Sequence, residues 1–80
     1  MKLELKINWE HKRTKHAIER MWLRGISAKE IEMAILRGRK VIQKKKRLVE
    51  AFHSYYSVIY DEKILNNKIR KIYPITVKIW

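Results

Sequence analysis

The sequence predicts an α+β domain: two N-terminal helices packed on a small, mainly antiparallel sheet, in the order β-α-α-β-β-β-β. Three observations carry this expectation. Leu3, Leu5 and Ile7 alternate with Lys2, Glu4 and Lys6, the period of a half-buried strand. Residues 14 to 38 change to helical spacing, and from Val41 onward the chain is β-branched and aromatic, broken by short turn-forming clusters. The 80 residues show no internal repeat, low-complexity linker or composition shift, so they form one domain. Helices on one face of a sheet bury both sets of apolar residues together.

In the first helix Ala17, Ile18, Met21 and Trp22 form the apolar stripe, with Thr14 one turn earlier on the same side. Gly25 supplies the left-handed residue that commonly ends a helix. The second helix has a full start signal: Ser27 as N-cap with Glu30 three residues on, a capping box. Ile26 and Ile31 flank it as a hydrophobic staple, Ile31, Ala34 and Ile35 form the buried stripe, and Gly38 ends the helix.

Val41 and Ile42 start the next strand, and RLVEAF (47 to 52) is another. SYYSVIY (54 to 60) follows with no strong turn signal before it, so residues 47 to 60 read equally as a hairpin or as one bent strand. DEKILNNK reads as a loop or hairpin end, with Asn66 and Asn67 at the turn. The last run, IRKIYPITVKIW, places Ile69, Lys71, Tyr73, Ile75, Val77 and Ile79 on one face. Pro74 cannot donate to a ladder, which puts this strand at an edge or makes it bulged there.

Charge narrows the function. Twenty Lys and Arg against eight Asp and Glu give +12 and a pI near 10.2. That much like charge repels itself in a compact state and points to a polyanionic partner, of which nucleic acid is the commonest. Seven of the eleven positions from 37 to 47 are basic: Arg37, Arg39, Lys40, Lys44, Lys45, Lys46 and Arg47. Lys12, Arg13, Lys15, Arg20 and Arg24 add to them, and the expectation is that both sets converge on one anion-receptive trough suited to a phosphate backbone. The alternative is a solvated hairpin whose lysines block edge-to-edge pairing.

His16, Arg20 and Arg24 lie at i, i+4 and i+8, along one stripe of the first helix. Arginine offers a planar fork for phosphate oxygens and histidine titrates near neutral pH, the equipment of a ribonuclease. His53 or Tyr73 would be the second acid or base. Equally, the arginines could pair with Glu19 or Glu32 while His16 caps a packing contact. The tyrosines at 55, 56, 60 and 73 could stack on unpaired bases or fill core and rim.

Several classes are set aside. There is no cysteine, so disulfides and thiolate metal sites are excluded. His11, His16 and His53 lack ligand spacing, and there is no glycine-rich phosphate loop or nucleophile triad, so no metal or cofactor is expected. No apolar run approaches the ~18 residues of a spanning helix, so no membrane partner is expected. The alternating N-terminus lacks the apolar core of a signal peptide, which points to the cytoplasm. Twelve isoleucines with one glutamine and three asparagines lean towards a heat-adapted source.

The block HAIERMWLRGISAKEIEMAILRG resembles the H-A-x-x-R-x-x-x-R-G-I-S-x-x-x-I/V-x-x-A-I-x-x-G pattern of a family of short bacterial and archaeal proteins grouped with the BrnT toxins and the RelE/ParE toxin superfamily. The matching positions are His16, Ala17, Arg20, Arg24, Gly25, Ile26, Ser27, Ile31, Ala34, Ile35 and Gly38. The resemblance implies a RelE/ParE-like sheet with two leading helices. It implies either an RNA-cleaving toxin acting by metal-free 2′-hydroxyl attack, ribosome-associated or not, or a protein-targeting inhibitor of the ParE kind. It also implies a cognate antitoxin, while a homodimer and a non-catalytic nucleic-acid binder stay open beside it. The basic loop and Pro74 depart from the family pattern.

Overall fold

A computed structural model describes residues 4–10, 12, 14–43 and 45–79 of the chain. The expectations placed on Lys2, Leu3, His11, Arg13 and Lys44 lie outside the described residues. The elements are β1 (Glu4–Ile7), α1 (Thr14–Arg24), α2 (Ala28–Arg37), β2 (Arg39–Gln43), β3 (Leu48–His53), β4 (Tyr56–Leu65) and β5 (Ile69–Ile79). The chain is thus α+β, with two helices on a five-stranded sheet ordered β1-β5-β4-β3-β2. β1 pairs with β5 in parallel and the other three pairs are antiparallel, so the sheet is mixed.

Both helices lie on one face. Met21, Ile26, Ile31, Ala34 and Ile35 pack with Ala51, Tyr56, Val58, Tyr60, Ile72 and Val77 in one cluster, flanked by Leu5, Ile7, Trp9 and Val49. Burying an isoleucine of this size fully contributes about 1.5–3 kcal/mol, so Ile31 and Ile35, both fully buried, anchor α2. Its cap is as the sequence predicts: Ser27 Oγ accepts from the Glu30 N–H, and Glu30 Oε1 accepts from the Ser27 N–H at 3.1 Å. α1 closes in a Schellman motif, with Gly25 at φ +67° and the Ile26 N–H donating to Met21 O at 3.0 Å.

Trp22 corrects the expected stripe. Thr14, Ala17 and Met21 face the sheet, but Trp22 is 82% exposed. It sits about 100° round the helix from Met21, beyond the narrow contact between α1 and β5, and no described element forms a third layer to receive it.

The strands carry three further findings. Residues 47 to 60 form a hairpin: His53 pairs with Tyr56, and Ser54 takes φ +55° in the two-residue turn. The residues expected to form a loop after Tyr60 instead continue β4 to Leu65, and the reversal is confined to residues 66 to 68, with Asn66 and Asn67 both left-handed and the Lys68 N–H donating to Leu65 O at 3.0 Å. In β5 the expected single face does not hold. Tyr60 pairs with Pro74 but Ile59 pairs with Thr76, leaving Ile75 as a bulge. Ile72, Pro74 and Val77 therefore share the buried side, while Lys71 and Tyr73 point the other way. β1 pairs with β5 only as far as Ile72, so Pro74 lies past the end of that ladder.

Two stability predictions follow from this packing. A Cβ on Gly38 would lie 2.5 Å from Ala34 O and 2.7 Å from Phe52 O, both backbone atoms, whereas one on Gly25 would meet nothing within 4 Å. Gly38→Ala should cost about 2–3 kcal/mol and Gly25→Ala about 1–2 kcal/mol in urea unfolding. The reverse ranking would show that α2 is not seated on β3 as described. Tyr60 is fully buried with no partner for its hydroxyl among the described residues. Burial, with Glu62 adding, pushes this group up to about 12. Because the folded value is raised, its contribution to stability is present below pH ~10 and is lost as pH rises through about 12. Tyr60→Phe should be neutral or up to about 1 kcal/mol more stable at pH 7 and should lose less stability on alkaline titration than the wild type.

Candidate nucleic-acid interface

The face of the sheet opposite the helices is built by alternation. Because register pairs share a side, it carries Glu4 and Lys6 from β1, Lys71 and Tyr73 from β5, Asp61 and Lys63 from β4, Glu50 and Phe52 from β3, and Arg39 from β2. Lys6 is the register partner of Lys71, and Lys71 that of Lys63. Three lysines on three adjacent strands, each about 4.8 Å from the next, thus form a row across the sheet. None has a carboxylate within ion-pair distance among the described residues. Like charges placed directly opposite one another destabilise a sheet.

Tyr73 lies beside this row. The Nζ atoms of Lys63 and Lys71 each stand 5.8 Å from its ring centroid, which eases their mutual repulsion without neutralising it. The arrangement repeats at the other edge, where the Arg39 guanidinium lies 5.4 Å from the Phe52 ring centroid. Lys45, Lys46 and Arg47 close the β2–β3 turn, exposed, with Arg47 left-handed at φ +53°. Leu48 follows that turn, and since Val49 pairs with Tyr60, the turn lies at the same end of the sheet as Lys63 and Lys71.

Three of the chain's eight carboxylates are engaged away from the lysine row. Glu50 is buried on this face, accepting from Ser57 Oγ at 2.7 Å and from Gln43 Nε2 at 3.3 Å. Glu62 pairs with Arg70 on the helix side, and Glu30 is held in the α2 cap. The excess positive charge is therefore largely unneutralised at the surface.

The residues predicted from the sequence are dispersed. His16, Arg20 and Arg24 are exposed on α1, which packs on β5. His16 reaches only Glu19, at 4.0 Å, and neither arginine forms an ion pair among the described residues. The basic turn belongs to β2 and β3, and β2 stands three strand spacings, about 14 Å, from β5. The trough expected to join the two sets is not formed by neighbouring elements. Arg37 ends α2, exposed, and Lys40 turns to the helix side, where its Nζ donates to Gly38 O at 2.8 Å. Burial, with Arg70 nearby, holds the Lys40 ammonium below its ordinary value.

His53 belongs to a different cluster, where the β3–β4 turn docks on α2. Tyr56 Oη donates to Glu30 O at 2.6 Å and lies 3.3 Å from His53 Nδ1. With its own proton committed, that oxygen can only accept from His53, which assigns a proton to Nδ1. Tyr55 Oη donates to Glu30 Oε2 at 3.2 Å. Lys6 and Lys63, and the pairing of Lys71 with both, were missed from the sequence because cross-strand register is not written in any local pattern.

The Ser27 N–H, with the Ser27 and Tyr55 hydroxyls, holds the Glu30 carboxyl below its ordinary value. A depressed folded value gives stability that is present above the unfolded carboxylate range and lost as pH falls through the folded one. Glu30→Gln should therefore flatten the loss of stability between about pH 5 and pH 3 in chemical unfolding. An unchanged acid limb would show that the cap is not ionised in the folded state.

No helix among the described residues is long and apolar enough to cross a membrane. No curated protein and no solved structure matches the chain. The profile of a domain of unknown function, DUF4258, matches residues 13–73, from the start of α1 to Tyr73 in β5. The chain with this helix pair and lysine-crossed sheet belongs to the DUF4258 family.

Proposed function

We propose that this protein binds single-stranded RNA across the helix-free face of its sheet, as a toxin-type domain of the RelE/BrnT kind. The observation that carries the reading is the row Lys6–Lys71–Lys63 with Tyr73 beside it. A like-charged row is unfavourable in the free protein and becomes favourable when a polyanion lies along it. An aromatic ring among cations is the surface on which unpaired bases stack while phosphates meet the ammonium groups. The basic turn at the same end of the sheet extends the track. The order of two helices followed by a sheet supports the RelE/ParE likeness.

Cleavage by 2′-hydroxyl attack needs a base and an acid around one phosphate. Of the residues expected to supply them, Tyr73 alone stands beside the lysine row. His16, Arg20 and Arg24 belong to the helix layer, and His53 is held at the β3–β4 turn. The geometry therefore favours binding over hydrolysis.

Fluorescence anisotropy with a labelled oligouridine of about ten nucleotides tests this. Lys63→Ala combined with Lys71→Ala should weaken binding about tenfold and reduce the salt slope by about 1.4, at ~0.7 per phosphate contact. Tyr73→Ala should cost about 1–3 kcal/mol with the slope unchanged. Arg20→Ala with Arg24→Ala should leave affinity within about twofold. Loss of binding in the α1 variant with none in the sheet variants would overturn the assignment. Cutting of the RNA in EDTA that is abolished by Tyr73→Phe would place a nuclease centre on this face.

A further inference from the structure

β2 (Arg39–Gln43) closes one side of the sheet, with β3 as its one neighbour in it. In an antiparallel pair, alternate residues turn their N–H and C=O groups away from the partner strand. The outer rim of β2 therefore presents a row of main-chain donors and acceptors that no described strand pairs. Its side chains are open as well: Arg39, Lys40, Val41 and Ile42 are all exposed, Ile42 to 68%. Register gives each side of the strand one cation and one apolar residue. Arg39 and Val41 share the helix-free side with Phe52 and Glu50, and Lys40 and Ile42 share the helix side with Ala51 and Val49.

Charge decides which strand fits. Arg37, Arg39 and Lys40 stand at one end of β2 and Lys45, Lys46 and Arg47 at the other, all exposed. None has a carboxylate within ion-pair distance among the described residues. The sequence holds no Asp or Glu from 33 to 49. Laying β2 against β2 of a second copy would bring two such runs together, and lysines on an edge oppose self-pairing for this reason. The same charges draw in an acidic segment. An extended polypeptide also matches the rest of the edge, since its backbone alternates donors with acceptors and its side chains can cover Val41 and Ile42. A nucleic-acid backbone brings phosphate acceptors but no row of donors for the β2 carbonyls.

We propose that the β2 edge receives an acidic extended segment of a partner protein as a sixth strand of the sheet, the strand-addition mode of recognition. β-branched residues of the segment lie beside Val41 and Ile42. Carboxylates at its two ends meet Arg39 and Lys40 on one side and Lys45 and Lys46 on the other. The proposal does not rest on RNA binding: the row Lys6–Lys71–Lys63 spans β1, β5 and β4, away from β2.

The test uses the full chain and an end-blocked peptide of about nine residues, a Val-Thr-Val centre between runs of glutamate. Two controls accompany it: one with proline at the centre, which cannot complete a ladder, and one with lysine in place of every glutamate. An NMR titration at physiological salt should show saturable binding below about 1 mM. Hydrogen exchange at alternate amides of residues 39 to 43 should slow by about tenfold or more. Both controls should bind at least about tenfold more weakly. Ile42→Glu, and Lys45→Glu combined with Lys46→Glu, should each weaken the peptide by about tenfold or more. Because these side chains are exposed, the variants should keep the wild-type circular dichroism. Equal binding by the proline peptide, binding without protection of β2, or no saturation overturns the proposal. Protection of the same amides by oligouridine and not by the peptide overturns it too, and gives the edge to RNA. A wild-type dimer in sedimentation that Ile42→Glu converts to a monomer does the same, and gives the edge to a second copy.

Discussion

One unpaired residue, Ile75, decides which side of this sheet is dry and which is charged. A strand alternates with period two, so an unbroken β5 would send Lys71, Tyr73, Ile75, Val77 and Ile79 to one side and Ile72, Pro74 and Lys78 to the other. Neither side would then be clean. The extra residue between Pro74 and Thr76 shifts the second half by one, so Val77 joins Ile72 in the core while Lys78 joins Lys71 and Tyr73 outside. Proline marks the place because it cannot donate there and because β1 has already ended at its pairing with Ile72. This one shift lets Val77 complete the apolar floor that Ile72 begins and sends Lys78 to the side of Lys71, while the row Lys6–Lys71–Lys63 lies wholly before it.

The acidic residues reinforce that division. A chain with eight carboxylates and twenty basic groups could neutralise part of its surface by pairing them. Three of the carboxylates instead do local structural work. Glu30 satisfies the first turn of α2 and receives Tyr55, and buried Glu50 is satisfied by Ser57 and Gln43 without a cation. Glu62 takes Arg70, but on the helix side, away from the lysine row. The self-repulsion that remains is large for a domain of this size, where the core is small and stability is a narrow difference between large terms.

Where the sequence was legible, the signal was local and stereochemical. Ser27 and Glu30 announced the α2 cap, Gly25 the left-handed close of α1, and Asn66–Asn67 the reversal before β5, because each needs a residue type at one fixed offset. The element order followed from period changes. What failed to show was set by distant partners. Trp22 has the right spacing for the core, yet whether a helical stripe is wide or narrow depends on how much sheet lies beneath it. Gly38 was correctly placed at a helix end but for a different reason: its φ is −70°, and the missing Cβ is required by the Phe52 carbonyl of a strand not adjacent in sequence. Ser54 takes a positive φ in a turn that carries no glycine or asparagine. The lysine row needs three registers at once, and no single segment contains them.

The same distinction explains how the candidate site moved. His16, Arg20 and Arg24 were singled out because one helix displays them in line, and a line on a helix is easy to read. A helix in a two-layer domain, however, offers its charged flank to solvent by default, with nothing opposite to complete a pocket. Cations on a sheet are held at strand spacing by the ladder itself, so their convergence is built into the fold and does not depend on flexible side chains finding one another. A domain only two layers thick thus keeps its lysine-crossed sheet face and its helix layer apart by the thickness of its core.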